Sequence, residues 1–331
     1  MWEWASSRPQ CCLKFGTDSI AWAKTERNWR GQRRHTCVMS PLSDGMIKPS
    51  PTEENVSDPS ALADRIRVLT GSGSVHHAVG GAILSDLPRR IGVLLPDTAV
   101  RATVLHLEQL PVRREERDAL IRWRLSQEQL FPLSGAKVLF QVLHNRSEGK
   151  GPAYTVLTVA TQESVLKQYE SLCESVGLFP QEVGVTSLRI FDLWRRALGG
   201  SHWRSRECLW VNVSDRALTT MVCQRGRLLF YRCKLLGAEA AEALAKTDML
   251  NKILEECCAS VEICQQQHPS AVVKEAVICA DGDISAFQES IETELRLSVE
   301  QLGWESVEAF GRVAKGSHRG MPSLAAMAGV L

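Results

Sequence analysis

The chain contains no Cys-x-x-Cys pair, no apolar run of signal-peptide length and no stretch approaching the ~20 residues that span a bilayer. It also lacks a charge imbalance, with 39 basic residues against 38 acidic ones. Each absence removes a class of function. Balanced charge provides no global field to steer the protein toward nucleic acid or anionic lipid. The missing ligand spacing argues against a structural metal site, and His76 and His77 have no Cys, Asp or Glu at ligand distance in the sequence. Cysteine itself is abundant, with eleven residues that include the adjacent pairs Cys11-Cys12 and Cys257-Cys258. Without a secretory signal these read as reduced, mostly buried thiols of a soluble cytoplasmic protein. At 331 residues the chain is long enough for two domains and a substantial core.

What is present is organised around residues 209–237, LWVNVSDRALTTMVCQRGRLLFYRCKLLG. β-Branched and aromatic residues fill three runs while Gly, Ser and Asp punctuate them, which predicts three short strands. The turns fall at Ser214-Asp215-Arg216 and at Arg225-Gly226. Gly226 stands where a tight hairpin needs a positive φ. A helix rich in small residues is expected over 238–245. The same unit occurs about two hundred residues earlier, where 12–24, CLKFGTDSIAWAK, again reads strand, polar turn, strand, with a third strand candidate at 35–42. One such unit is common in α/β proteins. Its repetition predicts an internal duplication, and the order strand, turn, strand, turn, strand, helix predicts an actin-like ATPase fold with a duplicated RNase H-like core.

Between the two units the pattern continues as helix 59–69, opened by Asp58-Pro59, a flexible turn at 71–74, and strands at 76–82 and 90–95. A small α+β insert is expected over 96–185: strand 100–108, charged helix 113–129, strands 137–144 and 154–160, and helix 162–176. The charged helix ends at Phe131-Pro132. Its apolar stripe reads as Ala119, Leu120, Trp123 and Leu125. Its arginines alternate with Glu115, Glu116 and Asp118, so this face reads as solvated or protein-contacting rather than as a nucleic-acid surface. Helices are expected at 186–198, within 239–268 and at 285–297, with a strand at 276–280, a polar linker at 199–206 and an apolar end at 324–330. The resulting division is a flexible N-terminus 1–10, a first core subdomain of 11–95 with 186–200, the insert 96–185, and a second core subdomain 201–331 with its helical part at about 238–272.

Five stretches in this order resemble the type IV pilus assembly protein PilM family, actin-like relatives of FtsA and of the cytoplasmic part of GspL. They are LSDGMIKPSPTEENVSDPSALADRIRVL, LPDTAVRATVLHLEQLPVRREERDALIRWRLSQEQLFPL, VLTVATQESVLKQYESLCESVGLFPQEVGVTSLRIFDLW, GRLLFYRCKLLG and LAAMAGVL. The resemblance implies a cytoplasmic scaffold, peripheral to the inner membrane, that binds the N-terminal tail of a PilN-like bitopic membrane protein and joins pilus platform and motor components. It also implies a tail groove between the first core subdomain and the insert, with segments 99–107 and 113–129 as candidates. No nucleic acid and no direct membrane insertion are implied, and self-association is left open.

The resemblance places the nucleotide-contacting turns at Gly16, Thr17, Asp18 and Ser19, at Ser214 and Asp215, and at Gly282. These turns depart from the family pattern. Lys14 stands where a metal-side Asp is expected, Asn212-Val213-Ser214 replaces Asp-Ile-Gly, and Asp281-Gly282 replaces Gly-Gly. A triphosphate-bound Mg²⁺ needs hard oxygen ligands, and close backbone approach to phosphate needs glycine. Lys14 keeps the capacity to neutralise a phosphate, so ATP with Mg²⁺ is the one cofactor to consider, as a bound ligand rather than a hydrolysed substrate. The expectation is a non-enzyme with no catalytic residues and no metal. Three rival readings are a GspL-like secretion component, which continues into a membrane span; a sugar- or acetate-kinase-like enzyme, for which only Asp18 and Asp215 remain near the phosphate turns; and an FtsA-like filament former, which needs an amphipathic terminal helix.

Overall fold

The computed structural model describes residues 8–27, 29–71, 90–128, 132–145, 153–237 and 240–331. Residues 1–7, most of the expected turn at 71–74, the strand at 76–82, the helix end at Phe131 and the start of the helix at 238 lie outside these residues. In chain order the elements are β1 (Cys11–Phe15), β2 (Ser19–Arg27), β3 (Arg33–Pro41), α1 (Pro59–Thr70), β4 (Arg90–Leu95), β5 (Arg101–Leu107), α2 (Arg114–Gln127), β6 (Ala136–Asn145), β7 (Tyr154–Gln162), α3 (Glu163–Ser175), β8 (Phe179–Val185), α4 (Thr186–Leu198) and α5 (Gly200–Ser205). The second half continues with β9 (Glu207–Ser214), β10 (Ala217–Gln224), β11 (Arg227–Leu235), α6 (Ala240–Ala245), α7 (Thr247–Gln267), β12 (Glu275–Ala280), α8 (Ser285–Ser290), β13 (Ser298–Gln301), α9 (Glu305–Glu308), β14 (Arg312–Val313) and α10 (Met321–Val330).

Two sheets share one strand order. The first runs β3-β2-β1-β4-β8, with β14 added beside β3, and the second runs β11-β10-β9-β12-β13. In each, the first three strands are antiparallel and the next two join in parallel. This is the duplication that the repeated strand–turn–strand units predict. The hairpins form for local reasons: Asp215 and Arg216 both adopt positive φ (51° and 56°), as do Arg225 and Gly226 (49° and 77°). Both turns therefore twist with their strands in the manner of a two-residue hairpin. Helix α1 begins as its sequence signals, with Pro59 in its first turn and the Asp58 carboxylate accepting from the Ala61 N–H at 2.9 Å, and it stops at Gly71 in the left-handed region.

The two halves share one apolar core. Phe191 of α4 meets Trp210 of β9 edge to face with ring centroids 5.8 Å apart, and Phe191 and Trp194 both pack on Trp203. A second apolar cluster lies on the far face of the second sheet, under α7 and α8.

The insert is a three-stranded antiparallel sheet, β5-β7-β6, whose one face packs on α2 through Leu105, Ile121, Leu125 and Val156. Alternation along β7 sends Val156 to that small core and Leu157 to the large one.

Several expectations change. The predicted stripe of α2 omits Ile121, which is fully buried, and includes Trp123, which is 54% exposed. The expected linker at 199–206 contains α5, anchored by buried Trp203. Strand β8 joins the edge of the first sheet, and Val165, Tyr169, Leu172 and Cys173 of α3 lie in the large core. Residues after β7 therefore pack with the first core rather than with the insert. The terminal segment also returns to the first half, because β14 pairs with β3 and α10 lies on β1, β2 and α4. Nor is the N-terminal segment free up to residue 10: Arg8 binds Asp192 at 2.7 Å and Pro9 is buried. The eleven cysteines are free thiols, nine of them buried, and burial pushes the Cys11 thiol up to about 12.

Candidate functional site

The turns that follow β1 and β9 face each other across a cleft between the halves. Lys14 is the fourth residue of β1 and is 1% exposed, held there by pairing with Ala21 on one side and Leu94 on the other. Its Nζ lies 2.6 Å from Asp215 Oδ1, an ion pair in which both side chains are buried. The same oxygen accepts the Thr17 backbone N–H at 3.3 Å. A Cβ at Gly16 would collide with Lys14 Nζ, Asp215 Oδ1 and the Ser19 carbonyl, so glycine is required for the first turn to close over this pair.

Two further carboxylates stand nearby. Asp281 Oδ1, beyond the end of β12, accepts the Met321 N–H at 2.8 Å, the first amide of α10. Asp18 is exposed and binds the Ser19 hydroxyl at 2.9 Å. Burial pushes the Asp215 carboxyl up, against the opposing pull of Lys14, and burial likewise raises Asp281.

Behind this cleft the halves are joined by a second polar network. Asn212 Nδ2 donates to Ser187 Oγ and to Ser214 Oγ, each at 2.8 Å. Asp97, fully desolvated in the turn after β4, accepts from the Ser187 hydroxyl at 2.7 Å, the Ser187 N–H at 3.1 Å and the Tyr231 hydroxyl at 3.3 Å. Burial raises the Asp97 carboxyl to about 6.

Of the residues predicted for the nucleotide turns, Asp18, Ser214 and Asp215 line one cavity of about 100 Å³ together with Lys14, Thr186, Asp281 and Met321. Gly16, Thr17 and Ser19 do not line it, though the Thr17 amide binds Asp215, and Gly282 adopts a φ of 93° beside Asp281 without lining it either. Asp97, Thr186, Ser187, Tyr231 and Met321 belong to the site and carry no motif. Among the described residues no cluster of three or more His, Cys, Asp or Glu is arranged to hold a metal ion. The residues present do not fit Mg-ATP: an ammonium and three carboxylates surround the cavity, the Thr17 amide already has an anion, and the volume falls short of the ~300 Å³ at the lower end of ligand pockets.

A different concavity lies between the insert and the first core. It holds about 240 Å³ and is lined mostly by apolar side chains: Leu139 and Phe140 of β6, Leu157 and Val159 of β7, Val183 and Val185 of β8, and Leu188 of α4. Arg189 and Asp192 supply its charge. The expected groove segments 99–107 and 113–129 do not line it. Part of them, with Trp123 and Arg124, borders a separate open depression of about 580 Å³ beside His106 and Pro111.

These features define an α/β chain of the actin-like ATPase fold, with a duplicated RNase H-like core and a small α+β insert. Within that class the chain is similar to a chain of the PilM–PilN type IV pilus biogenesis complex, with a TM-score of 0.72 at 16% identity over 98% of both chains. It also aligns with a Bacteroides thetaiotaomicron protein of actin-like ATPase fold (TM-score 0.47, 12% identity, 93% and 98% covered). A third alignment is with the cytoplasmic domain of EpsL, an inner-membrane component of the type II secretion system of Vibrio cholerae (0.46, 9%, 96% and 93%). No family model matches the chain, and no curated protein matches it in sequence. No helix among the described residues is long and apolar enough to cross a membrane.

Proposed function

We propose that this protein is a non-enzymatic scaffold of a type IV pilus or related secretion platform, cytoplasmic and held at the inner membrane by binding the N-terminal tail of a PilN-like membrane protein. The observation that carries the reading is the contrast between an interior cleft filled by its own charges and an open apolar groove at the edge of the insert. Among the described residues the groove is bordered by β6, at the edge of the insert sheet, and by β8, at the edge of the first core sheet, so it offers an extended segment apolar side chains and sheet edges. The fold match to a PilM–PilN complex supports the same assignment. The nucleotide site is degenerate. Lys14 opposes a divalent cation where a carboxylate ligand is needed.

The test is fluorescence polarisation of a labelled N-terminal peptide from the PilN-like protein of the same organism, with and without Mg-ATP. Saturable binding that is unchanged by Mg-ATP is expected. Binding that appears only with Mg-ATP would overturn the degenerate-site assignment, and no binding under either condition would overturn the scaffold assignment.

A further inference from the structure

We infer that the Lys14–Asp215 ion pair, together with Asp281 on the N-terminus of α10, is a built-in replacement for a bound anion and its cation, so that the protein holds its cleft closed with its own charges and without a ligand.

Three donors point into the cleft from the first half: the Lys14 ammonium, the Thr17 amide and the leading amide of α10. A turn amide beside an ammonium and a helix N-terminus are groups that recognise phosphates and carboxylates. Each is already satisfied, and each acceptor comes from the second half: Asp215 for Lys14 and Thr17, Asp281 for Met321. Asp215 delivers its carboxylate from a left-handed backbone position, φ 51°, which places it over Gly16 where a ligand would otherwise approach. Arg216, the next residue, reaches Asp44 of the first half at 2.5 Å and extends the same bridge to the surface. Closure of a ligand-gated cleft follows ligand concentration. Here the ligand's charges are part of the chain, so closure is constitutive.

Loss of stability alone does not identify such a latch, because any buried ion pair is sensitive to removal of one partner, while removal of both is commonly tolerated. The decisive experiment therefore compares stability with exposure of the cleft in the full chain, using Lys14→Met, Asp215→Gly and the double variant. Glycine at 215 accepts the positive φ without strain. Hydrogen exchange read by mass spectrometry over 14–19 and 212–217 is measured with no ligand and with millimolar Mg-ADP.

In the unsubstituted protein slow exchange without ligand is expected, with Mg-ADP changing it by less than about twofold and moving the melting temperature by less than ~1 °C. In the double variant the melting temperature should return to within a few degrees of the original, while exchange over 14–19 rises roughly tenfold or more. Retained protection in the double variant, or slowing of exchange by Mg-ADP in the unsubstituted protein, overturns the proposal. If the double variant does not fold, Asp215→Asn decides. It keeps an acceptor for the Thr17 amide but removes the charge, and protection equal to that of the original protein overturns the proposal.

Discussion

Two concave regions lie within one fold, and they differ in what completes them. The cleft between the halves is small and charged, and Lys14 Nζ, the Thr17 amide and the Met321 amide each find a carboxylate across the gap. The groove between insert and first core is larger and apolar, and it is bordered by two sheet edges. A donor already paired with a carboxylate gains little from an added anion, because an entering anion must first separate that pair. An apolar groove gains from whatever displaces its water. The comparison teaches that the site most recognisable from motif positions is the one least available for binding, while the available site has no motif.

The comparison breaks most readily at Lys14. Lys14→Met leaves Asp215 buried without its counter-charge and is expected to lower the unfolding free energy by about 3–5 kcal/mol, measured by urea denaturation at pH 7. Tail-peptide affinity at constant folded fraction should stay within about twofold, since the groove lies elsewhere. A large loss of affinity with the fold intact would show that the two regions act as one.

Asp97 tests the second network joining the halves. Its carboxyl is raised to about 6 by burial, against the Ser187 hydrogen bonds that lower it, so the folded chain holds this proton more tightly than the unfolded chain does. Its contribution is therefore present in full below about pH 4 and is lost as pH rises through about 6, a change of roughly 3 kcal/mol. Asp97→Asn should remove that slope from a series of denaturation curves between pH 4 and 7. A slope identical to that of the unsubstituted protein would show that Asp97 does not titrate in this window.

The groove is expected to show a smaller effect. Leu139 lines it while remaining 53% exposed, so Leu139→Asp should leave the melting temperature within about 2 °C and weaken the tail peptide about tenfold, or ~1.4 kcal/mol. Unchanged affinity would move the tail site away from this groove.

The legible parts of this molecule are those in which local chemistry decides the outcome. The runs at 217–224 and 227–235 and the turn at Arg225-Gly226 predict β10 and β11 because alternation and φ preference act over a few residues. Strand β8 is not legible: it carries Pro180 and Gly184, residues that weaken a strand reading and are tolerated here because it lies at a sheet edge. Ile121 escapes the α2 stripe because the positions one turn before it are Arg117 and Asp118, which leaves Leu125 as its apolar partner at i+4. The central feature of the site is equally hidden. Lys14 reads as a departure from a nucleotide turn and Asp215 as a residue of one, and only the fold brings residues 201 positions apart to within 2.6 Å. The return of β14 and α10 to the first sheet is hidden for the same reason, a long-range pairing with no local signal.

The smallest expected effect concerns the contact that holds the insert to the second half. His106 of β5 has its Nε2 3.0 Å from the Leu229 carbonyl of β11 and 2.9 Å from His268 Nε2, with the two rings at 77°. Only one of the facing ring nitrogens can carry a proton, because two N–H groups would otherwise point at each other. Burial, and then the neighbouring His268, lower His106 to about 4, and burial also lowers His268. A histidine held neutral in the fold contributes stability that is present above about pH 6.5 and is lost as pH falls toward 4. This opposes Asp97 over almost the same interval, so the two partly cancel in the unsubstituted protein. His106→Gln retains a donor for the Leu229 carbonyl and cannot take up a proton. It should therefore leave the Asp97 trend less opposed, with only burial of His268 still acting against it at this contact, and unfolding free energy climbing more steeply from pH 6.5 to 4 than in the original chain. A pH profile that superimposes on the original would show that the His106–His268 contact does not titrate with folding and that the insert is held to the second half by packing of β5 on β11 alone.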